Sequence, residues 1–297
     1  MPTVQSIITG EDDAMKFILC ADLHLRVDRP RCRKDEDWIE TQRQQLFFIK
    51  KEAFNNNCPV LIAGDIFHTS QVPDILKTMF QTIFSGLEVY AIAGQHCLPW
   101  HSWGKVFSSS FGVLLTSGII KEPKFDFAHY NEQIVKNGSD ILVIHDLIFE
   151  SEKQIPPNVK AKTAKEVLNS NKSYKWILCG DQHHSFHFEE KGRHVIMAGC
   201  MNRQAADMKD YVPRIWLIDT DADLVTQIPI PDDVEMVDDE YLVKAEDRAD
   251  RISAFIETIK GTKKISLDYI ENIKTAMEEN KFTRLEKNIL HELLEEI

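Results

Sequence analysis

Seven short apolar runs rich in β-branched residues recur along the chain: "KFILCA" (16–21), "PVLIAG" (59–64), "VYAIAG" (89–94), "ILVIH" (141–145), "KWILCG" (175–180), "HVIMAG" (194–199) and "RIWLID" (214–219). Continuous apolar runs of this length predict buried strands. Between the first two, "DEDWIETQRQQLFFIKKEAFNNN" opens with acids and places apolar residues at 39, 46, 49, 53 and 54, which predicts a helix. "PDILKTMFQTIF" repeats apolar pairs at 75/76, 79/80 and 83/84, four residues apart, and predicts another. Strands alternating with helices imply an α/β sandwich.

After "IPIPDD" (228–233) the pattern changes. Apolar positions 252, 255, 256 and 259 end at Gly261, Ser266 can cap a second helix, and Thr283 with Glu286 makes a capping box for a third. The expected organisation is a polar extension over 1–14, a main domain over 15–232 and a helical module over 233–297. Residues 235–297 hold 16 acids against 10 bases, so the module suits packing or protein docking better than clamping DNA.

Composition narrows the class. The chain has 297 residues, 43% hydrophobic and 28% charged, enough for one large core and an appendage. No apolar run reaches the ~18 residues of a membrane span, so no membrane partner is expected. "MPTVQSIITGEDDA" lacks the basic start and apolar stretch of a secretion signal. The six cysteines (20, 32, 58, 97, 179, 200) stand singly, and a reduced, cytoplasmic setting fits them best. A net charge of −12 argues against a protein that coats nucleic acid. One local exception is "RVDRPRCRK" (26–34), five basic residues against one acid, read either as a solvated loop or as an anion-binding one.

The chemistry lies where the strands stop. "CADLH" gives Asp22 and His24, "AGDIFH" gives Asp65 and His68, "AGQH" gives Gln95 and His96, "VIHD" gives His145, and "CGDQH" gives Asp181 and His183. In an α/β sheet the C-terminal strand ends converge on one crevice. Carboxylates and imidazoles gathered there would destabilise one another without a cation. Two divalent ions about 3.5–4 Å apart would satisfy them and activate a water for attack at phosphorus. The remaining histidines (101, 129, 184, 187, 194 and 291) read as hydrogen-bonded side chains near the core.

These motifs, in this order, resemble the calcineurin-like metallophosphoesterases (D-x-H, G-D, G-N-H-D, H, G-H-x-H), and over residues 15–230 the SbcD-type DNA-repair nucleases, phage-encoded members included. "GDIFHTSQVP" and "MAGCMNRQAAD" followed by "PRIWLID" carry the finer likeness. The resemblance implies a β-sandwich flanked by helices, two metal ions (Mn²⁺, with Mg²⁺ as the alternative) and DNA as substrate. It also implies an SbcC-like ATPase or a second copy as partner. By matching position it assigns Asp22, His24, Asp65 and His183 to the first ion. The second would take Asp65, Gln95, His145 and Asp181, while His96 and His68 face the scissile phosphate. Arg26, Arg29, Arg31 and Arg203 are the expected substrate contacts.

Three departures from the family pattern stand out. Gln95 replaces asparagine and Asp181 replaces histidine, each still a ligand type. Cys97 replaces an aspartate, which removes a charged neighbour of His96 and its support for that ring's charged form. Two rival readings stay open: an enzyme of the same fold acting on small phosphoesters, and a binding subunit whose catalysis has faded.

Overall fold

The computed structural model describes residues 15–238 and Lys287. The chain divides into two compact units, Met1–Asp238 and Asp239–Ile297. Apart from Lys287, which is helical, the acidic helices expected in the second lie outside the described residues.

In the first unit, β1 (Lys16–Cys20), β2 (Val60–Ile62) and β3 (Val89–Ala91) run parallel, with β11 (Arg214–Asp219) and β12 (Leu224–Pro229) added antiparallel in the order β12-β11-β1-β2-β3. A second sheet joins β4 (Asp126–Phe127), β5 (Ile141–His145), β8 (Trp176–Gly180) and β10 (Arg193–Met197) in parallel, with β9 (Phe186–Glu190) antiparallel at its edge. A small ribbon pairs β6 (Ile148–Phe149) with β7 (Lys162–Thr163).

The runs read as continuously apolar because both faces of each central strand are covered. Phe17, Leu19 and Ala21 point to one side of β1 and join Ile141, Val143, Trp176, Leu178, Ile196 and Trp216 in the layer between the sheets. Ile18 and Cys20 point the other way, toward α1 (Trp38–Asn55), α2 (Asp74–Phe84) and α3 (Ser110–Thr116). Ile177, Cys179 and Val195 cover α4 (Ala164–Ser170) on the far side. The result is an α/β/β/α sandwich whose sheets share one hydrophobic interior.

Two helix readings need correction at their edges. On α1 the residues Leu46, Ile49 and Ala53 are buried, but Phe54 is 79% exposed. One residue past Ala53 turns the side chain about 100° off the buried stripe. Ile75 of α2 is half-exposed for the same reason, while Leu76, Met79, Phe80, Ile83 and Phe84 are buried. Packing on this unit continues past residue 232: Val237 is buried, and the Asp238 N–H donates to the Cys32 carbonyl.

Candidate metal centre

All five predicted strand ends meet at one edge of the sandwich. After β1 the chain turns through Asp22 and His24, after β2 through Asp65, and after β8 through Asp181. At each of these four residues φ is positive: 49°, 44°, 48° and 96°. None is glycine, so each holds a left-handed backbone that its neighbours must enforce. Cross-links between the turns supply that enforcement. The Asp22 N–H donates to the Gly64 carbonyl (3.1 Å) and the His24 N–H to the Asp65 carbonyl (3.0 Å). The Asp181 N–H donates to Asp22 Oδ2 (3.0 Å) and the His96 N–H to Asp65 Oδ1 (3.0 Å).

These bonds leave a consistent remainder. Asp22 uses Oδ2, and its buried Oδ1 has no partner; Asp65 uses Oδ1, and its buried Oδ2 has none. His145 gives its Nδ1–H to the Ala63 carbonyl (2.7 Å), leaving Nε2 buried without a hydrogen bond. Gln95 donates its amide to Asp181 Oδ1, leaving Oε1 buried and unpartnered. In each residue one atom is anchored by protein and the other is left over. Orphaned buried polar atoms are costly and rare.

The leftover atoms crowd together. His145 Nε2 lies 3.3 Å from Asp65 Oδ2, 3.9 Å from Asp181 Oδ1 and 4.0 Å from Asp22 Oδ1. His24 Nε2 lies 3.8 Å from Asp22 Oδ1 and 3.2 Å from His183 Nε2. Two groups each bring ligand atoms within 4.8 Å of one another: Asp22, His24 and His183, and Asp22, Asp65 and His145. The donor set therefore fits divalent cations, with Asp22 common to both groups.

The bare electrostatics point the same way. Burial pushes the Asp22 carboxyl up to about 8, against the pull of His145, and the carboxylates of Asp65 and Asp181 push it further. Burial would also raise Asp65, but the facing His145 imidazole holds it down at about 2. Burial disfavours a charged His145, yet Asp65 and then Asp22 and Asp181 keep it protonated to about 10. The His145 imidazolium is the charge that steadies Asp22 and Asp65, in a place suited to a cation. His24 and His183 are driven toward the neutral, ligand-ready form chiefly by burial.

Two glycines hold the space open. A Cβ on Gly94 would stand 2.3 Å from Asp65 Oδ1 and 2.6 Å from His145 Nε2. A Cβ on Gly64, itself at φ +105°, would stand 2.1 Å from His145 Nδ1. These close approaches are features the sequence reading passed over; the visible signal was the small "AG" pair that ends the runs before Asp65 and Gln95.

His68 and His96 lie beside this cluster. Their rings stack at 5.6 Å, and with His24 they bring three ring nitrogens within 4.8 Å of one another. The His96 Nδ1–H is placed to donate to the His68 carbonyl (2.9 Å), which leaves Nε2 as its free nitrogen. That bond orients His96 without any help from position 97. Cys97 is fully buried in the core beneath, its thiol pushed up to about 12 by burial and then by Asp65.

The expected substrate arginines fare differently. Arg26 stands against His68, because the His68 N–H donates to the carbonyl of Leu25 and a backbone bridge joins Leu25 to Phe67. Its guanidinium contacts Asp28. Arg31 is exposed, and Arg29 donates to the Asp35 carbonyl at 2.6 Å. Arg203 needs correction as a substrate contact. Its side chain is 3% exposed, bonded to Asp232 Oδ2 (2.9 Å) and to the carbonyls of Lys209 and Asp232. Asp232 also pairs with buried Arg33 (3.0 Å), which in turn grips Asp35 (2.7 Å). This network is internal to the fold.

Among the other histidines, His129 accepts from the Ala93 N–H and stacks on Trp103, and His194 stacks on Trp176. Both are hydrogen-bonded interior side chains. His101 differs from that reading: it is exposed, with Nδ1 on the Gln95 carbonyl at 3.1 Å. His291 lies outside the described residues.

Residues 15–225 match the profile of one protein family, described as calcineurin-like phosphoesterase. Among solved structures the chain is similar to a protein described as a novel archaeal phosphodiesterase, at 13% identity and a TM-score of 0.42, over 72% of this chain and 99% of that one. At that distance the likeness does not bear on substrate. No curated protein matches the chain.

Proposed function

The chain belongs to the calcineurin-like phosphoesterase family, and on that footing we propose that it is a two-metal phosphodiesterase of the SbcD nuclease type, cutting DNA with Mn²⁺ or Mg²⁺. The observation that carries the phosphodiesterase reading is the set of four side chains, Asp22, Asp65, Gln95 and His145, each anchored through one atom and left with the other buried and unpartnered in a common space. The nuclease reading rests on the "GDIFH" and "MNRQAAD" motifs. An SbcC-like ATPase or a second copy as partner, in the cytoplasm, belongs to the same proposal.

When bound, divalent ions polarise phosphoryl oxygens and make a bound water acidic enough to attack phosphorus. The chain's own residues do the rest. Asp65 would serve both ions, as the family resemblance implies, and its Oδ1 is fixed by the His96 N–H, so the centre and the His96 backbone move together. In its neutral, ligating form His145 would keep its proton on Nδ1 through the Ala63 carbonyl, which would aim the Nε2 lone pair inward. His96, held through Nδ1 by the His68 carbonyl, presents Nε2 to stabilise phosphate charge or to give a proton to the leaving oxygen. His68 stacks against that ring and limits its rotation.

A second reading, hydrolysis of small phosphodiesters, draws on one observation. Arg33 and Arg203 are locked on Asp232, so they add nothing to an external basic surface. The deciding experiment assays Mn²⁺-loaded protein on single- and double-stranded DNA beside a small chromogenic phosphodiester, with Asp65→Ala as control. DNA cleavage supports the nuclease; turnover of the small ester alone supports the second reading. Inactivity on all three substrates would leave a binding subunit.

A further inference from the structure

The segment that follows the Gln95–His96 turn has an unusual surface. Trp100 is 83% exposed and Phe107 76%. Such exposure is uncommon for residues that normally bury 150–250 Å² each. The segment is nevertheless well anchored. Three short 3₁₀ turns, Gln95–Cys97, Pro99–His101 and Trp103–Ser108, follow one another directly. Trp103 stacks face to face on the interior His129 at 3.6 Å and 13°, and Val106 is buried. His101 ties the segment to Gln95 through the bond at 3.1 Å. Trp100 and His101 both hold left-handed backbone (φ 51° and 54°), with Trp100 turned outward rather than folded down.

Charge distinguishes the same stretch. The chain has 47 acids in 297 residues, about one in six, yet no Asp or Glu occurs from Val89 through Lys121. Within that window the segment carries an exposed Lys105 and an exposed His101. On a protein of net charge −12 this is where a polyanion meets no carboxylate in the local chain. An exposed indole on an anchored backbone, five residues from Gln95, suits a flat, neutral group attached to a phosphate backbone.

We propose that Trp100, with Phe107, is a stacking platform for unpaired nucleobases, which makes single-stranded DNA, or the frayed end of a duplex, the preferred ligand of the site. The proposal rests on the phosphodiesterase reading for its position and deepens it by naming the strand form. Stacking tolerates any base sequence and needs little positive charge, which fits an acidic protein. A base inside a duplex hides its face, so intact duplex would gain little.

The test is quenching of tryptophan emission in the full chain, titrated with a twelve-residue oligothymidylate in EDTA so that no cleavage occurs. Of five tryptophans, Trp38, Trp176 and Trp216 are buried and Trp103 is covered by its stack, so Trp100 is the reporter. Expected is saturable quenching by the single strand and little by a blunt duplex. Trp100→Gly, which accepts the left-handed backbone without strain, should lose the quenching and weaken binding about tenfold, as measured by anisotropy of a labelled oligonucleotide. Trp100→Phe should keep most of the affinity. Equal binding of single strand and duplex, or undiminished affinity in Trp100→Gly, would overturn the platform. So would wild-type protein that dimerises in sedimentation while Trp100→Gly stays monomeric, since the aromatics would then be an interface between copies. Hydrolysis of a small diester by wild-type protein is measured separately. Its presence without oligonucleotide binding removes the platform alone, and inactivity on DNA as well as on the small diester removes the phosphodiesterase reading.

Discussion

Asp232→Asn is expected to unfold the protein at a markedly lower temperature while leaving substrate affinity alone. The carboxylate is 1% exposed and neutralises two guanidinium groups, Arg33 (side chain 0% exposed) and Arg203 (3%). Burial opposes the charge on Arg33, and Asp35 with Asp232 more than restores it, raising its pKa. After the substitution Arg33 keeps Asp35 at 2.7 Å, but Arg203 keeps only carbonyl acceptors. Breaking a buried pair from one side typically costs about 3–5 kcal/mol, because the remaining charge is left uncompensated. At about 2–4 °C per kcal/mol for a domain of this size, the midpoint should fall by about 6–20 °C. Circular dichroism melts would record this, with KM for a small diester measured below the new midpoint. Arg203→Met together with Asp232→Leu should recover part of the loss, since an apolar pair leaves no charge behind. If Arg203→Met raises KM at an unchanged midpoint, Arg203 is a substrate contact and the internal-network account is wrong.

Four further outcomes follow from the centre and its surroundings. Gly94→Ala should abolish turnover while the protein remains folded by circular dichroism, because the new Cβ would overlap Asp65 Oδ1 and His145 Nε2; near-normal rates would contradict the close-packed cradle. Cys97→Asp should fold, because the N–H groups of Phe67, Gly94 and Ile66 face the sulfur, but should bring no gain in rate or change of pH profile, since His96 is already oriented by the His68 carbonyl; a faster enzyme would restore the sequence-based expectation. On the proposed assignment, Asp181 and Gln95 would make the second ion site oxygen-rich, which suits Mn²⁺, then Mg²⁺, over Zn²⁺; Asp181→His should shift metal-titrated activity toward softer ions, and a Zn²⁺ optimum in the unmodified protein would count against this. Asp126 is held down at about 2: burial would raise it, but the Tyr174 hydroxyl and three main-chain N–H groups outweigh burial. Its stabilisation should be complete above the ordinary carboxyl pKa near 4 and be lost as pH falls from there toward 2; the stability gap between wild type and Asp126→Asn should close over that window, and a gap that persists at pH 2 would refute it.

What the sequence displayed of the fold follows from burial. Strands covered on both faces, such as β1 and β8, spell uninterrupted apolar runs and were legible. β9 ("FHFEE") and β12 ("LVTQIP") lie at sheet edges, are partly or largely exposed, and carry no such run. β4 has two residues and is held by pairing with β5, a contact 16 residues away. α4 spans only seven residues, too short for a helical period to emerge, although its capping box at Thr163 and Glu166 was there to be read.

The site divides along a different line. Residue types at strand ends were legible because ligands come from a small chemical set and their order follows the chain. Arg203 was not, because its partner Asp232 lies 29 residues away and Arg33, the second arginine on Asp232, lies 199 residues from that partner; nothing local tells a buried guanidinium from an exposed one. Nor does residue type reveal backbone strain. Asp22, His24, Asp65 and Asp181 all hold φ values that glycine would adopt more readily, and a left-handed residue of this kind costs on the order of 1–3 kcal/mol. Four such residues in three turns bonded to one another cannot relax singly, because Asp22 is the acceptor for Asp181 while it donates to Gly64, and His24 donates to Asp65. Relaxing any one would break a bond that another needs. The strain thus sits where a cation would compensate it, and its price is met by the covered strands that run into each turn.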